Sequence, residues 1–239
     1  MFTDWLTISF RAADQLQVRS EIYGKVRALQ RHYPQAVLVS TFGNLSLRLP
    51  GQFWQGIEEK AGFEIADRIL RWCATAHVTR FDLAHDWSLT EEDAGCIWSK
   101  IAELGNVSRW ESPAGRTWYV GSRKSRDFGR LYNKRAELRA RTGVDIGFPC
   151  LRFEVEFKKE SAPQMFEHWR RDHDAVQQYV AKKYGLEEYL HGSSTDVIRI
   201  HGLPASDPFA FIRHFRKALC KARTADPKLF DELTKSLDP

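Results

Sequence analysis

The chain has 239 residues, 43% hydrophobic and 13% aromatic, with a formal net charge of +5. That is ample material for a sizeable core, and we read a single domain, a core over residues 1–160 with a mainly helical part over 161–239 packed on it. No segment approaches the roughly 20 apolar residues that span a bilayer, and the start carries no leader pattern, so a soluble, cytoplasmic protein is expected.

Taken in order, Asp4 to Phe10 reads as a strand with Leu6, Ile8 and Phe10 alternating inward, and a helix follows from about Ala13 to His32, ended by Pro34. Val37 to Thr41 and Leu45 to Leu49 form a hairpin around Gly43-Asn44. Phe63, Ala66, Ile69, Leu70 and Cys73 recur at helical spacing and place a helix over 63–76, directly before a strand at Val78 to Asp86. A helix over 90–104 opens with a Thr90-x-x-Asp93 capping signal and ends at Gly105. Val107 to Trp110, Thr117 to Val120, Gly129 to Lys134 and Leu151 to Phe157 then read as strands separated by turn signals. Beyond Ser161 the pattern turns helical over 164–190, with a short strand at Val197 to Ile200 and helices near Pro208 and Pro227. The class is α+β, a largely antiparallel sheet covered by helices on one face, with two helix-plus-strands passes hinting at duplicated halves.

Four cysteines, Cys73, Cys96, Cys150 and Cys220, lack Cys-x-x-Cys spacing and are expected to be reduced thiols. Residues 112–159 hold 12 Lys/Arg against 5 Asp/Glu, a local excess of +7 within a chain of +5. Such a patch suits a polyanion, or is an ordinary solvated basic surface. The Gly-x4-Gly-Lys-Ser/Thr loop of nucleotide hydrolases is absent, as is any His-x-His pair.

Strand alternation puts Arg80, Asp82 and Asp86 on one face, and likewise Arg130, Tyr132 and Lys134, and Arg152, Glu154 and Glu156. Acids on neighbouring strands repel unless a cation intervenes. In one reading Asp82 and Glu154, with Asp86 and Glu156 as alternates, ligate magnesium or manganese. In the other, Arg80 and Arg152 pair with Asp82 and Glu154 across strands. Tyr132 lies between Arg130 and Lys134, whose charges would lower its pKa and favour phenolate attack while stabilising a phosphoryl group; a tyrosine simply packed on a sheet is the alternative. Gly121-Ser122-Arg123-Lys124-Ser125 reads as a turn suited to phosphates, so Ser122, Arg123 and Lys124 are expected DNA contacts together with Arg80 and Arg152; an ordinary solvated turn is the alternative. His85 falls among apolar positions and reads as a satisfied core or sheet-edge histidine.

Asp4-Trp5-Leu6, Arg80 to Asp86, Thr117 to Ser125 running into Arg130-Leu131-Tyr132-Asn133-Lys134-Arg135-Ala136-Glu137, and Leu151 to Glu156 together resemble the Rep-trans family. These are trans-acting replication initiation factors of rolling-circle plasmids and filamentous phages, akin to the relaxases of mobile elements. The resemblance implies an endonuclease that nicks and rejoins one origin strand, single-stranded or extruded as a hairpin, through a 5′-phosphotyrosine. It implies Tyr132 as nucleophile with Tyr119 as a competitor, Asp82 and Glu154 as ligands of a divalent metal, and Lys134 and Arg130 as phosphate contacts. Host helicase and polymerase would be partners, and the second strand transfer would use either the tyrosine of a second subunit in a homodimer or a carboxylate-activated water. Two other readings stand beside it. One is a non-catalytic DNA-binding regulator using Arg213, Arg216, Lys217, Lys221 and Arg223; the other is an RNA-binding sheet with Trp118 and Tyr119 stacking on bases.

Overall fold

In β1 (Phe2–Phe10), Leu6, Ile8 and Phe10 alternate inward and are fully buried, as period-2 patterning requires. The computed structural model describes residues 1–10, 16–41, 44–89, 94–112 and 115–190. After β1 come α1 (Leu16–His32), the hairpin β2 (Val37–Thr41) and β3 (Asn44–Pro50), and two helices, α2 (Gly51–Gln55) and α3 (Glu59–Leu70). Then follow β4 (Ala76–Trp87), α4 (Gly95–Glu103), β5 (Val107–Ser112), β6 (Gly115–Val120), β7 (Asp127–Asn133), α5 (Lys134–Thr142), β8 (Leu151–Lys158), α6 (Ser161–Arg171) and α7 (His173–Tyr184).

The eight strands form one sheet in the order β2-β3-β1-β4-β8-β7-β6-β5, antiparallel throughout. This is an α+β fold, the class expected from the sequence. The order strand-helix-strand-strand occurs twice, as β1-α1-β2-β3 and β4-α4-β5-β6, while β7 and β8 lie between β4 and β6.

One sheet face is hydrocarbon. Phe81 and Leu83 of β4, Phe153, Val155 and Phe157 of β8, and Leu131 of β7 are fully buried. Helices cover them through aromatic contacts: Phe166 of α6 meets Phe81 at 5.6 Å, Trp98 of α4 meets Trp118 of β6 at 4.9 Å, and Tyr184 of α7 meets Phe153 at 5.0 Å. Burying such a ring is worth about 2 to 3 kcal/mol. Gly129 in β7 is required by that packing, because a Cβ there would lie 2.8 Å from the Tyr184 ring. His85 is a core residue, 6% exposed and 4.6 Å from Trp87, but its buried Nδ1 has no partner among the described residues.

The structure corrects two helical expectations. The helix read over 164–190 is two, because Asp172 turns out to an extended backbone (φ −151°, ψ 93°) and its carboxylate caps α7 by accepting from Ala175 N at 2.9 Å. Residues 134–142, not assigned as a helix from sequence, form α5: Asn133 caps it by accepting from Ala136 N at 2.9 Å, and Gly143 ends it in the left-handed region (φ 74°). The Thr90-x-x-Asp93 signal, Cys220, the strand at 197–200, the helices near Pro208 and Pro227, and the cations from Arg213 to Arg223 lie outside the described residues.

Candidate active site and nucleic-acid interface

The opposite sheet face is polar, and strand register arranges it in rows. One row runs Trp110, Thr117, Tyr132, Arg152, Asp86 from β5 to β4. The next runs Ser108, Tyr119, Arg130, Glu154, Ala84, and a third runs Phe128, Glu156, Asp82, Trp5. Lys158 and Arg80 form the last pair. The three charged segments thus share one face: acids, tyrosine and cations stand side by side.

Their electrostatics differ along the rows. Arg152 is 2% exposed, and its Nε and Nη2 grip both Asp86 oxygens at 2.6 and 2.7 Å while Nη1 donates to Asp4 Oδ1 at 3.0 Å. Phe2 lies against the guanidinium, 5.3 Å from its carbon. Arg152, an expected DNA contact, lies buried with each of its three nitrogens hydrogen-bonded, and Asp86, an expected alternate metal ligand, is held at both oxygens. Asp4 has no sequence-level signal for this role. It is the extra residue where the β1–β4 register shifts between Thr3 and Trp5, and such a bulge re-aims a side chain. Burial raises its carboxyl pKa above the usual range, with Arg152 opposing.

Glu154 Oε2 accepts from Arg130 Nη2 at 2.7 Å and from the Tyr132 hydroxyl at 3.2 Å. The Arg130 guanidinium also lies 4.5 Å from the centre of the Tyr132 ring, and Lys134 Nζ lies 5.7 Å from it. Lys134 begins α5 rather than continuing β7, and its ammonium pairs with Glu137 at 2.8 Å. The phenol itself is 4% exposed. Its pKa is not lowered as two flanking cations suggested: burial, seconded by Glu154, raises it well above 10 and outweighs Arg152 and Arg130. Burial acts on Glu154 as well, but Arg130 overcomes it and holds the carboxyl below its ordinary value. The resting pair is therefore a neutral phenol donating to a carboxylate.

Beside this pair opens a cleft of about 360 Å³ lined by Arg80, Tyr119, Arg123, Phe128, Arg130, Glu154, Glu156 and Lys158. Tyr119 and Phe128 stack in its wall at 5.6 Å, with the Arg123 guanidinium 5.1 Å from the Tyr119 ring and Lys158 Nζ 5.3 Å from the Phe128 ring. Ser122, Arg123 and Lys124 are exposed in the β6–β7 turn at its rim. Arg80 grips both Asp82 oxygens and reaches Glu156 at 3.3 Å, and Lys158 reaches Glu156 at 3.1 Å. The arginine pairing expected as an alternative to metal is thus present in part: Arg80 takes Asp82, though along its own strand, while Arg130 rather than Arg152 takes Glu154 and Arg152 takes Asp86.

Carboxylates are suitable donors for magnesium or manganese. The arrangement does not fit a metal shell, however. Asp82, Asp86, Glu154 and Glu156 each engage a cation of the chain, and among the described residues no three His, Cys, Asp or Glu side chains are placed to hold an ion. Asp82 is the carboxylate least at ease: burial, with Glu154 and Glu156 beside it, raises its pKa well above the usual range despite Arg80. Among the described residues no helix is long and apolar enough to cross a membrane.

None of the curated proteins matches the chain. Among solved structures, the rolling circle replication initiator protein from Geobacillus stearothermophilus is similar at 14% identity, covering 76% of this chain and 82% of that one, with a TM-score of 0.46. The replication initiation factor family, Rep-trans, matches residues 90–194, the stretch that carries Tyr119, Tyr132 and Glu154. Over that stretch the chain bears the likeness to Rep-trans replication initiation factors that its motifs implied.

Proposed function

We propose that this chain initiates rolling-circle replication in the cytoplasm, nicking and rejoining one strand of single-stranded or hairpin origin DNA through Tyr132. The observation that carries the proposal is the Tyr132 hydroxyl resting on Glu154 at 3.2 Å beside a cleft lined with cations.

The chemistry follows from these groups. A DNA phosphate entering the cleft meets Arg130, Arg123, Lys158 and Arg80, and its charge competes with Glu154 for Arg130. Glu154 loses its ion pair, becomes more basic and accepts the phenol proton as Tyr132 Oη attacks phosphorus. The Oη–P bond forms and the P–O3′ bond breaks; the departing 3′ oxygen takes a proton from solvent, and the 5′-phosphate stays on tyrosine. One phosphoester replaces another, so rejoining needs no ATP. A polymerase extending the 3′-hydroxyl and a helicase would be the host partners.

The test is incubation of single-stranded origin oligonucleotides, labelled at the 3′ end, with the full chain. A covalent adduct is expected, reduced by roughly 10³-fold or more in Tyr132→Phe and by roughly 10² to 10⁴-fold in Glu154→Gln. Parallel reactions with magnesium, manganese and a chelator decide the metal requirement that the family resemblance implies. Adduct retained in Tyr132→Phe but lost in Tyr119→Phe would move the nucleophile to Tyr119. The buried neutral phenol favours one second reading, a DNA-binding regulator without chemistry, which predicts binding and no adduct with any metal.

A further inference from the structure

We propose that Trp110 is a base-stacking platform for single-stranded DNA lying across the polar face beyond Tyr132; this deepens the DNA-binding reading and rests on it. Among the described residues Trp110 is the most exposed large hydrophobic side chain, at 63%. It stands on β5, the strand at the end of the sheet, in the row that continues through Thr117 to Tyr132. Two interstrand steps separate the indole from the phenol, about 10 Å across the sheet. In that row the short side chain of Thr117 stands between them, so among the described residues of the row nothing tall blocks a strand passing from one to the other.

An indole left in water forfeits the free energy its burial would supply, and contact with something outside the chain would recover it. Its surroundings choose the occupant. Ser108 and Ser112 flank Trp110 on the same side of β5, and Glu111 and Arg109 beside it are exposed. A second protein would need a contiguous apolar patch to exclude water, whereas an unpaired base needs one flat ring and a nearby cationic track for its phosphates. That track is the cleft of Arg80, Arg123, Arg130 and Lys158, which begins in the row next to that of Tyr132 and runs along the strands. Tyr132 then sits at the corner where the phosphate-binding cleft meets the base-binding row. Duplex DNA keeps its bases stacked internally, so the subsite takes single strands only.

The experiment measures binding of the full chain to fluorescently labelled oligothymidylate of about 20 nucleotides and to an abasic deoxyribose-phosphate chain of equal length. Trp110→Ala should bind oligothymidylate roughly 5- to 100-fold more weakly, Trp110→Phe should stay within a few-fold of wild type, and the abasic chain should not distinguish the three. Equal binding of oligothymidylate by wild type and Trp110→Ala overturns the inference. So does an equal loss on both probes, which would mean a damaged fold, or a Trp110→Ala chain that changes its association state by sedimentation while keeping its oligothymidylate affinity, which would mean a second copy occupies the face. Failure here leaves the Tyr132 adduct untouched, and an absent adduct leaves the stacking result untouched.

Discussion

Arg152 and Arg80 sit at corresponding places, each on the polar face of the sheet and each gripping an aspartate with two nitrogens, yet they belong to different kinds of region. Arg152 is shut in by Asp86, Asp4 and Phe2, whereas Arg80 looks into an open cleft with Arg123, Arg130 and Lys158. The contrast teaches that on a charged sheet face, burial decides which arginine holds the fold and which meets a ligand. A guanidinium that is buried with each nitrogen engaged is closed to a phosphate. A partly exposed one can add a phosphate to its contacts while keeping its carboxylate, which matters because Asp82 is buried and would be costly to leave unpaired.

Three perturbations break or sharpen this contrast. Arg152→Met strands two carboxylates in the interior and should cost about 3 to 5 kcal/mol in denaturant unfolding. Adding Asp86→Leu should recover much of that loss, since a buried pair is often replaceable by hydrocarbon. Recovery without Asp86→Leu would show the closed region to be wetter than its geometry indicates.

Acid acts on the fold through His85, whose pKa burial pushes from 6.5 down to about 4, with the chain's amino terminus adding to the effect and Asp86 opposing it. The folded state disfavours the protonated ring, so this stability is complete above pH 6.5 and is lost as pH falls through about 4. The loss amounts to about 3 kcal/mol. Asp4 and Asp82, whose carboxyl pKa values are raised, contribute with the opposite sign. The measurement is therefore the unfolding free energy of wild type minus that of His85→Leu from pH 7 to 4, which should fall by about 3 kcal/mol across that window; a constant difference would contradict the buried ring.

The smallest effect belongs to the open region. Arg123→Ala should weaken oligonucleotide binding a few-fold for every sequence and lower the salt slope by about 1. An unchanged slope would remove Arg123 from the phosphate track.

Much of this was legible beforehand because alternation is a strong signal. Phe81, Leu83, Phe153, Val155 and Phe157 declared the core face of β4 and β8, and their neighbours declared the polar one. The fate of each polar residue was not legible, since it depends on what covers it. Asp4 reaches Arg152 only because β1 bulges, and a bulge in a nine-residue strand leaves no mark in a period-2 pattern. The direction of the Tyr132 shift was misread for the same reason: Arg130 and Lys134 are visible along the strand, whereas burial and the neighbouring Glu154 are set by cross-strand pairing with β8. Helix α5 was missed because Arg135 to Thr142 offers a single buried apolar residue, Leu138, although Asn133 and Gly143 are a fair cap at each end. The outward Trp110 read as an ordinary strand residue until β5 proved to be the sheet's edge.

The account turns on a neutral phenol that becomes a nucleophile only when a phosphate draws Arg130 away from Glu154. The most direct measurement is protease digestion and mass spectrometry of the chain after reaction with single-stranded origin DNA, locating the attached nucleotide. The account predicts a 5′-phosphoryl nucleotide on Tyr132; a nucleotide on Tyr119, or unmodified peptides from a chain that binds the same DNA, would contradict it.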